Sequence, residues 1–170
     1  MIMKKYIFMI ASLLTLGLAT TSCDVMTNEP EGGNKIGDMA GHWEVTIDVV
    51  DEDGNILYED PYGMGVVDIN TYATVNDDTD KMWLYDGSFW GLQLLVPINL
   101  DAHTFAVTDV PYDLAETGNT TLKGKIIPKG GKNLHGMPVD SICIDAVFDD
   151  DPNGGLIWRY SGIRYQGFTE

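Results

Sequence analysis

The alternation of apolar and polar positions is clearest in Ala40–Val50. Trp43, Val45, Ile47 and Val49 fall on one face, and Glu44, Thr46 and Asp48 fall on the other. A period of two marks a strand with one buried face. The run follows a polar, Gly-rich segment, which makes it the first strand of the fold. Asp51-Glu52-Asp53-Gly54-Asn55 then turns the chain, because an Asp-Gly hairpin needs a positive φ that Gly tolerates, and Ile56 and Tyr58 lead back. Further strand-like runs are predicted at Met64–Val75, Lys81–Tyr85, Phe89–Leu100, His103–Val107, Thr121–Ile127, Val139–Phe148 and Leu156–Phe168. Leu92, Leu94, Val96 and Ile98 share a face, with Pro97 ending regular pairing. Ile142, Ile144, Ala146 and Phe148 share another, opposite Ser141, Cys143, Asp145 and Val147.

Between these runs lie Gly-, Asp- and Asn-rich turns. Val110–Gly118 reads as a loop over a barrel mouth, and Pro128–Pro138 as a Gly/Lys/Asn loop. No stretch carries a sustained helical period, and no repeat of fixed length stands out. The pattern therefore predicts an all-β fold, an antiparallel up-and-down β-barrel of about eight strands. A barrel of that size is either filled by its own side chains or just wide enough for one small ligand.

The first residues follow a different pattern. Lys4 and Lys5 precede an uncharged apolar run from Tyr6 to Ala19, and small residues lead to Cys23. This reads as a secretion signal over residues 1–22. Thr20-Thr21-Ser22 before Cys23 resembles the lipobox of bacterial lipoproteins, with Thr20 where Leu is usual. The resemblance implies a lipid-modified Cys23. Several acyl chains would hold the protein firmly, where a single chain gives only marginal binding. Residues 23–37 lack periodicity and read as a flexible tether, leaving 38–170 as the barrel domain. The expected address is the cell envelope, at the outer membrane.

Charge and cysteine content narrow the partners. The 170-residue chain has a formal net charge of −16, and losing Lys4 and Lys5 with the signal makes the mature chain two units more negative. That disfavours nucleic acid and electrostatic docking on anionic lipid. With Cys23 acylated, Cys143 has no partner within the molecule, so the core alone must supply stability.

Two resemblances follow from particular residues. Gly41-His42-Trp43 looks like the Gly-x-Trp of lipocalins and other calycins. There the Trp closes the barrel floor and an Arg from the last strand packs over it. Arg159 and Arg164 are the only arginines, and Arg164 is the preferred match, giving Gly41, Trp43 and Arg164 as floor residues. Asn70–Thr74, Asp140-Ser141-Ile142 and Tyr160–Phe168 resemble a family of lipocalin-like lipoproteins from gut anaerobes labelled "lipid-binding putative hydrolase". The chain departs from that family's pattern at Ala73 and at Tyr165-Gln166. The label implies no catalytic residue that can be placed on this sequence.

Candidate chemistry is sparse. Ser88, Ser141 and Ser161 lie outside any Gly-x-Ser-x-Gly motif, and His42, His103 and His135 are scattered. Asp51-x-Asp53-Gly54-Asn55 starts like a calcium loop, but its Gly comes too early and its twelfth position is Tyr62. Asp77-Asp78-x-Asp80 and Asp149-Asp150-Asp151 read as solvated turn acids. No cofactor or metal is implied. Trp83, Tyr85, Phe89 and Trp90 form the densest aromatic cluster. With Leu92, Leu94, Val96, Ile142, Ile144 and Phe148 they are the candidate lining of a barrel interior.

The leading expectation is thus a membrane-anchored, non-enzymatic lipoprotein that binds a small apolar, lipid-like molecule inside the barrel. A second is an accessory surface module whose aromatics and acidic loops meet a glycan or an envelope protein. A hydrolase is the third.

Overall fold

The Trp43-led run folds as strand β1, Gly41–Val50, and it is paired along both edges. The other strands are β2 (Ile56–Tyr58), β3 (Val67–Tyr72), β4 (Lys81–Tyr85), β5 (Gln93–Asn99), β6 (Thr104–Pro111), β7 (Asn119–Lys132), β8 (Pro138–Phe148) and β9 (Ile157–Arg164). The structure is a computed structural model, and it describes residues 33–87 and 89–167. The signal, Cys23 and most of the expected tether lie outside the described residues, as do Ser88 and Phe168.

From β3 onward each strand pairs antiparallel with the next, and β9 returns to β1 in a ladder from Trp43↔Arg164 to Val50↔Ile157. The result is a closed eight-stranded antiparallel barrel of β1 and β3–β9, consistent with a lipocalin-like fold. The short β2 is an extra strand on the far end of β1. Closure removes the unpaired edges that an open sheet would present.

Side-chain alternation places the core. Trp43, Val45, Ile47 and Val49 of β1 point inward with Ile69, Met82, Leu84, Leu94, Val96, Phe105, Leu122, Ile126, Ile142, Ile144, Ala146, Phe148, Trp158 and Tyr160. Trp43, Phe148, Trp158 and Tyr160 are among the bulkiest fully buried side chains. Two glycines let the wall close around them. A Cβ on Gly124 would fall 2.2 Å from the ring of Phe105, and one on Gly162 would fall 1.9 Å from the Glu44 carbonyl oxygen.

Three expectations need correction. The Pro128–Pro138 segment is mostly strand: β7 runs on to Lys132 past a bulge, and Gly131 and Lys132 pair with Val139 and Pro138. Its Gly and Lys content suggested a loop, but the long β8 partner supplies a ladder to continue. The packed domain also begins before Asp38. Ile36 is fully buried beside Met39, in a turn closed by hydrogen bonds from the Met39 and Ala40 amides to the Ile36 carbonyl. Finally, the strand expected over Met64–Val75 is shorter, because Val66 and Val75 lie outside β3 and stay exposed.

Candidate functional site

The floor of the barrel is built around Trp43. Its Nε1 donates to Thr71 Oγ1 at 2.9 Å, and Thr71 donates in turn to the Met39 carbonyl at 2.6 Å. Arg164 lies over the indole, its Cζ 4.7 Å from the ring centroid. The guanidinium donates to the carbonyls of Asp38 (2.7 Å), Ala40 (2.9 Å) and Gly37 (3.3 Å), and Asp140 accompanies it at 3.3 Å. Gly41 lies close by: a Cβ there would touch the Trp43 indole at 3.3 Å and meet Arg164 Cζ at an ordinary 3.5 Å. A planar fork of donors suits this cluster of carbonyls, and a point charge does not. Arg159 has another task. It grips Asp145 with two nitrogens (2.6 and 2.9 Å) and donates to the Gly54 carbonyl at 3.0 Å, tying β9 to the β1–β2 turn.

The opposite end is plugged by aromatic rings. Phe89 and Trp90 sit half-buried between β4 and β5. Trp90 stacks on Phe148 at 4.4 Å, and Phe89 meets Trp158 and Tyr160 edge-on at 5.3 and 5.7 Å. Tyr62 stacks on Trp158 from the β2–β3 connection at 5.5 Å. Carboxylates hold the polar edges of these rings. Asp150 accepts from Trp90 Nε1 and Tyr112 Oη, and Asp151 accepts from Trp158 Nε1. Asp86 accepts from the Trp90 and Gly91 amides and from Tyr160 Oη. Burial lifts Asp86 above the ordinary carboxylate value despite these donors, and burial with the nearby Asp86 charge lifts the Tyr160 phenol well above its own. The acids of the 149–151 turn are thus acceptors for indole, phenol and backbone groups.

The expected interior lining divides. Leu92, Leu94, Val96, Ile142, Ile144 and Phe148 point into the barrel and are at most 5% exposed, packed against one another and the central aromatics. Trp83 and Tyr85 do not face the interior. Met82 and Leu84 take the inward positions of β4, and Trp83 stacks on Tyr72 on the outer face at 6.4 Å. In Lys81-Met82-Trp83-Leu84-Tyr85 both faces are apolar, so alternation alone leaves open which one turns inward.

Among the described residues, the outer wall carries open space. A groove of about 600 Å³ is lined by Pro97, Ile98 and Asn99 of β5, Thr104, Phe105 and Ala106 of β6, Lys123, Gly124 and Lys125 of β7, Cys143 and Asp145 of β8, and Arg159 of β9. Its origin is local. Proline has no amide to donate, and the β5–β6 ladder is confined to Ile98↔Phe105 and Asn99↔Thr104, just beyond Pro97. On the other side of β6 the ladder slips between Val107 and Val110. Between the Gln93 amide bond to the Tyr112 carbonyl (2.7 Å) and the Ile98 rung, β5 and β6 share no paired residues, and the wall is open there. Register sets two rows across the groove, Thr104–Lys125–Cys143–Ser161 and Ala106–Lys123–Asp145–Arg159. Burial, then the nearby Asp145, pushes the Cys143 thiol up, so Cys143 is a neutral lining group. Sequence reasoning passed over this groove; its visible signals are a proline inside a strand and the outward pair of lysines flanking Gly124.

The histidines are dispersed. His42 pairs with Asp68 (Nε2–Oδ1 3.0 Å) and packs against Tyr165 outside the floor, while His103 and His135 stand in the β5–β6 and β7–β8 turns.

A family model described as "Lipid-binding putative hydrolase" matches residues 28–169. The chain belongs to that family. One similar solved structure, from Bacteroides ovatus and described as a structural-genomics protein of unknown function, is 18% identical with a TM-score of 0.43. That match covers 77% of this chain and 43% of the other, so the chain spans less than half that protein's length. No curated protein matches. In this chain Trp43 and Arg164 meet at one end of the barrel, and the groove lies on its outer wall.

Proposed function

We propose that this family member is a membrane-anchored, non-enzymatic lipoprotein of the cell envelope that binds a small lipid-like molecule. The acyl part of that ligand lies in the groove on the outer wall rather than in the lumen. The observation that carries this reading is the contrast between the two spaces. The inward rows are occupied by Trp43, Phe105, Phe148, Trp158, Tyr160 and their aliphatic neighbours, while the groove has about 600 Å³ over Pro97, Ile98 and Ala106. That volume falls in the range typical of small-molecule sites, about 300–1,000 Å³. The family's description supports a lipid as the ligand class. The signal-like segment and Cys23 support the anchor and the envelope address.

The test is photolabelling of the full-length protein in membranes with a diazirine-bearing palmitate, followed by mass-spectrometric mapping. Adducts on the β5–β6 and β7–β8 peptides are expected. Adducts confined to the aromatic mouth, or none above a membrane-protein control, would overturn the reading.

A further inference from the structure

The groove's charge runs against that of the molecule. The whole sequence has 26 acidic side chains against 10 lysines and arginines. Yet three of those ten, Lys123, Lys125 and Arg159, line this one groove, with Asp145 as its single carboxylate. Asp145 is already taken. Arg159 holds both of its oxygens, and Lys123 stands at 3.8 Å. Lys125 lies across the sheet from Thr104 on one side and Cys143 on the other, and it forms no ion pair among the described residues.

We infer that the groove selects a single-chain amphiphile with an anionic head group, the chain lying over Pro97, Ile98 and Ala106 and the head meeting Lys125. The proposal rests on the groove reading above and adds the sign of the head. Asp145 is satisfied by Arg159, so it offers little to a cationic head, and a neutral head would leave Lys125 unanswered. Lysine suits the position because its aliphatic stem extends the apolar floor while the ammonium stays at the rim. A surplus of acid over the rest of the chain makes this groove a local exception, and field complementarity of that kind favours specificity and encounter. Carboxylate and phosphate monoester heads share the required chemistry.

The experiment uses the full-length protein in nanodiscs and labels it with the diazirine palmitate. Palmitate, 1-palmitoyl lysophosphatidate and hexadecanol compete, with empty nanodiscs correcting for partitioning. Either anionic competitor is expected to displace the probe about tenfold better than hexadecanol, and the stronger of the two names the source of the head. Lys125→Glu is expected to lower labelling about tenfold and Lys125→Arg to preserve it, while labelling by a diazirine hexadecanol falls by less than about twofold in either. Equal competition by hexadecanol, or labelling by the palmitate probe unchanged in Lys125→Glu, overturns the anionic head. Ala106→Trp separates this from failure of the groove itself. It fills the groove at an exposed position, so persistence of both labels in that variant overturns the groove reading.

Discussion

Gly124 offers the sharpest test of how the wall and core fit together. It occupies an inward position of β7, and its Cβ would stand 2.2 Å from Phe105 Cζ and 2.4 and 2.8 Å from the two adjacent ring carbons. Ordinary contact begins near 3.4 Å, so the ring must retreat by about 1.2 Å. Phe105 is only 3% exposed and is held by the Ile98 and Gly124 pairings, so it has little room to move. Overpacking of this kind costs about 1–3 kcal/mol. Gly124→Ala is therefore expected to destabilise the protein by about 2 kcal/mol, even though alanine loses less backbone freedom on folding. Phe105→Leu removes the outer ring atoms and alone should cost about 1 kcal/mol. Against that background Gly124→Ala should be close to neutral, giving a coupling of about 1–2 kcal/mol. Urea unfolding followed by tryptophan fluorescence measures all four corners of the cycle, because Trp43 and Trp158 are fully buried reporters. Equal cost of Gly124→Ala in both backgrounds would refute the reasoning. Gly162→Ala is the control with no rescue. Its Cβ meets the Glu44 carbonyl at 1.9 Å and Val45 Cα at 2.6 Å, so only parting β1 from β9 would relieve it, and the loss should exceed about 4 kcal/mol.

Two further predictions concern the ends of the barrel. Arg164→Ala should cost about 2–4 kcal/mol by removing the cation over Trp43 and leaving the Gly37, Asp38 and Ala40 carbonyls without this donor. Arg164→Lys should recover less than half, and a lysine variant as stable as the parent in thermal unfolding would rule out the forked-donor account. At the mouth, burial holds Asp86 above its ordinary value of 3.8, so the folded state retains a proton that the unfolded chain has released. Its contribution to stability is complete below pH 3.8 and declines as pH rises through the folded value. The stability of Asp86→Asn relative to the parent should therefore climb as pH is raised from below 3.8 and then level off, as measured by urea midpoints across pH. A gap that is flat or falls with pH would show that Asp86 is not the group responsible.

What the amino-acid order determined by itself is local and periodic. Alternation in Ala40–Val50 and Val139–Phe148 marked those strands and their buried faces, because side chains on a strand point alternately to its two sides. The resemblance of Gly41-His42-Trp43 to the calycin Gly-x-Trp implied a last-strand arginine over the indole, and the structure places Arg164 over Trp43. Where both faces of a strand are apolar, as at Trp83 and Tyr85, only pairing with β3 and β5 chose the inward side. Pairing likewise carried β7 through Gly130 and Gly131, and packing drew Ile36 out of the apparent tether. The groove lay beyond any sequence pattern. Its residues come from five strands up to 62 positions apart, Pro97 to Arg159, and they became neighbours only when the ladders aligned and the proline interrupted pairing with β6.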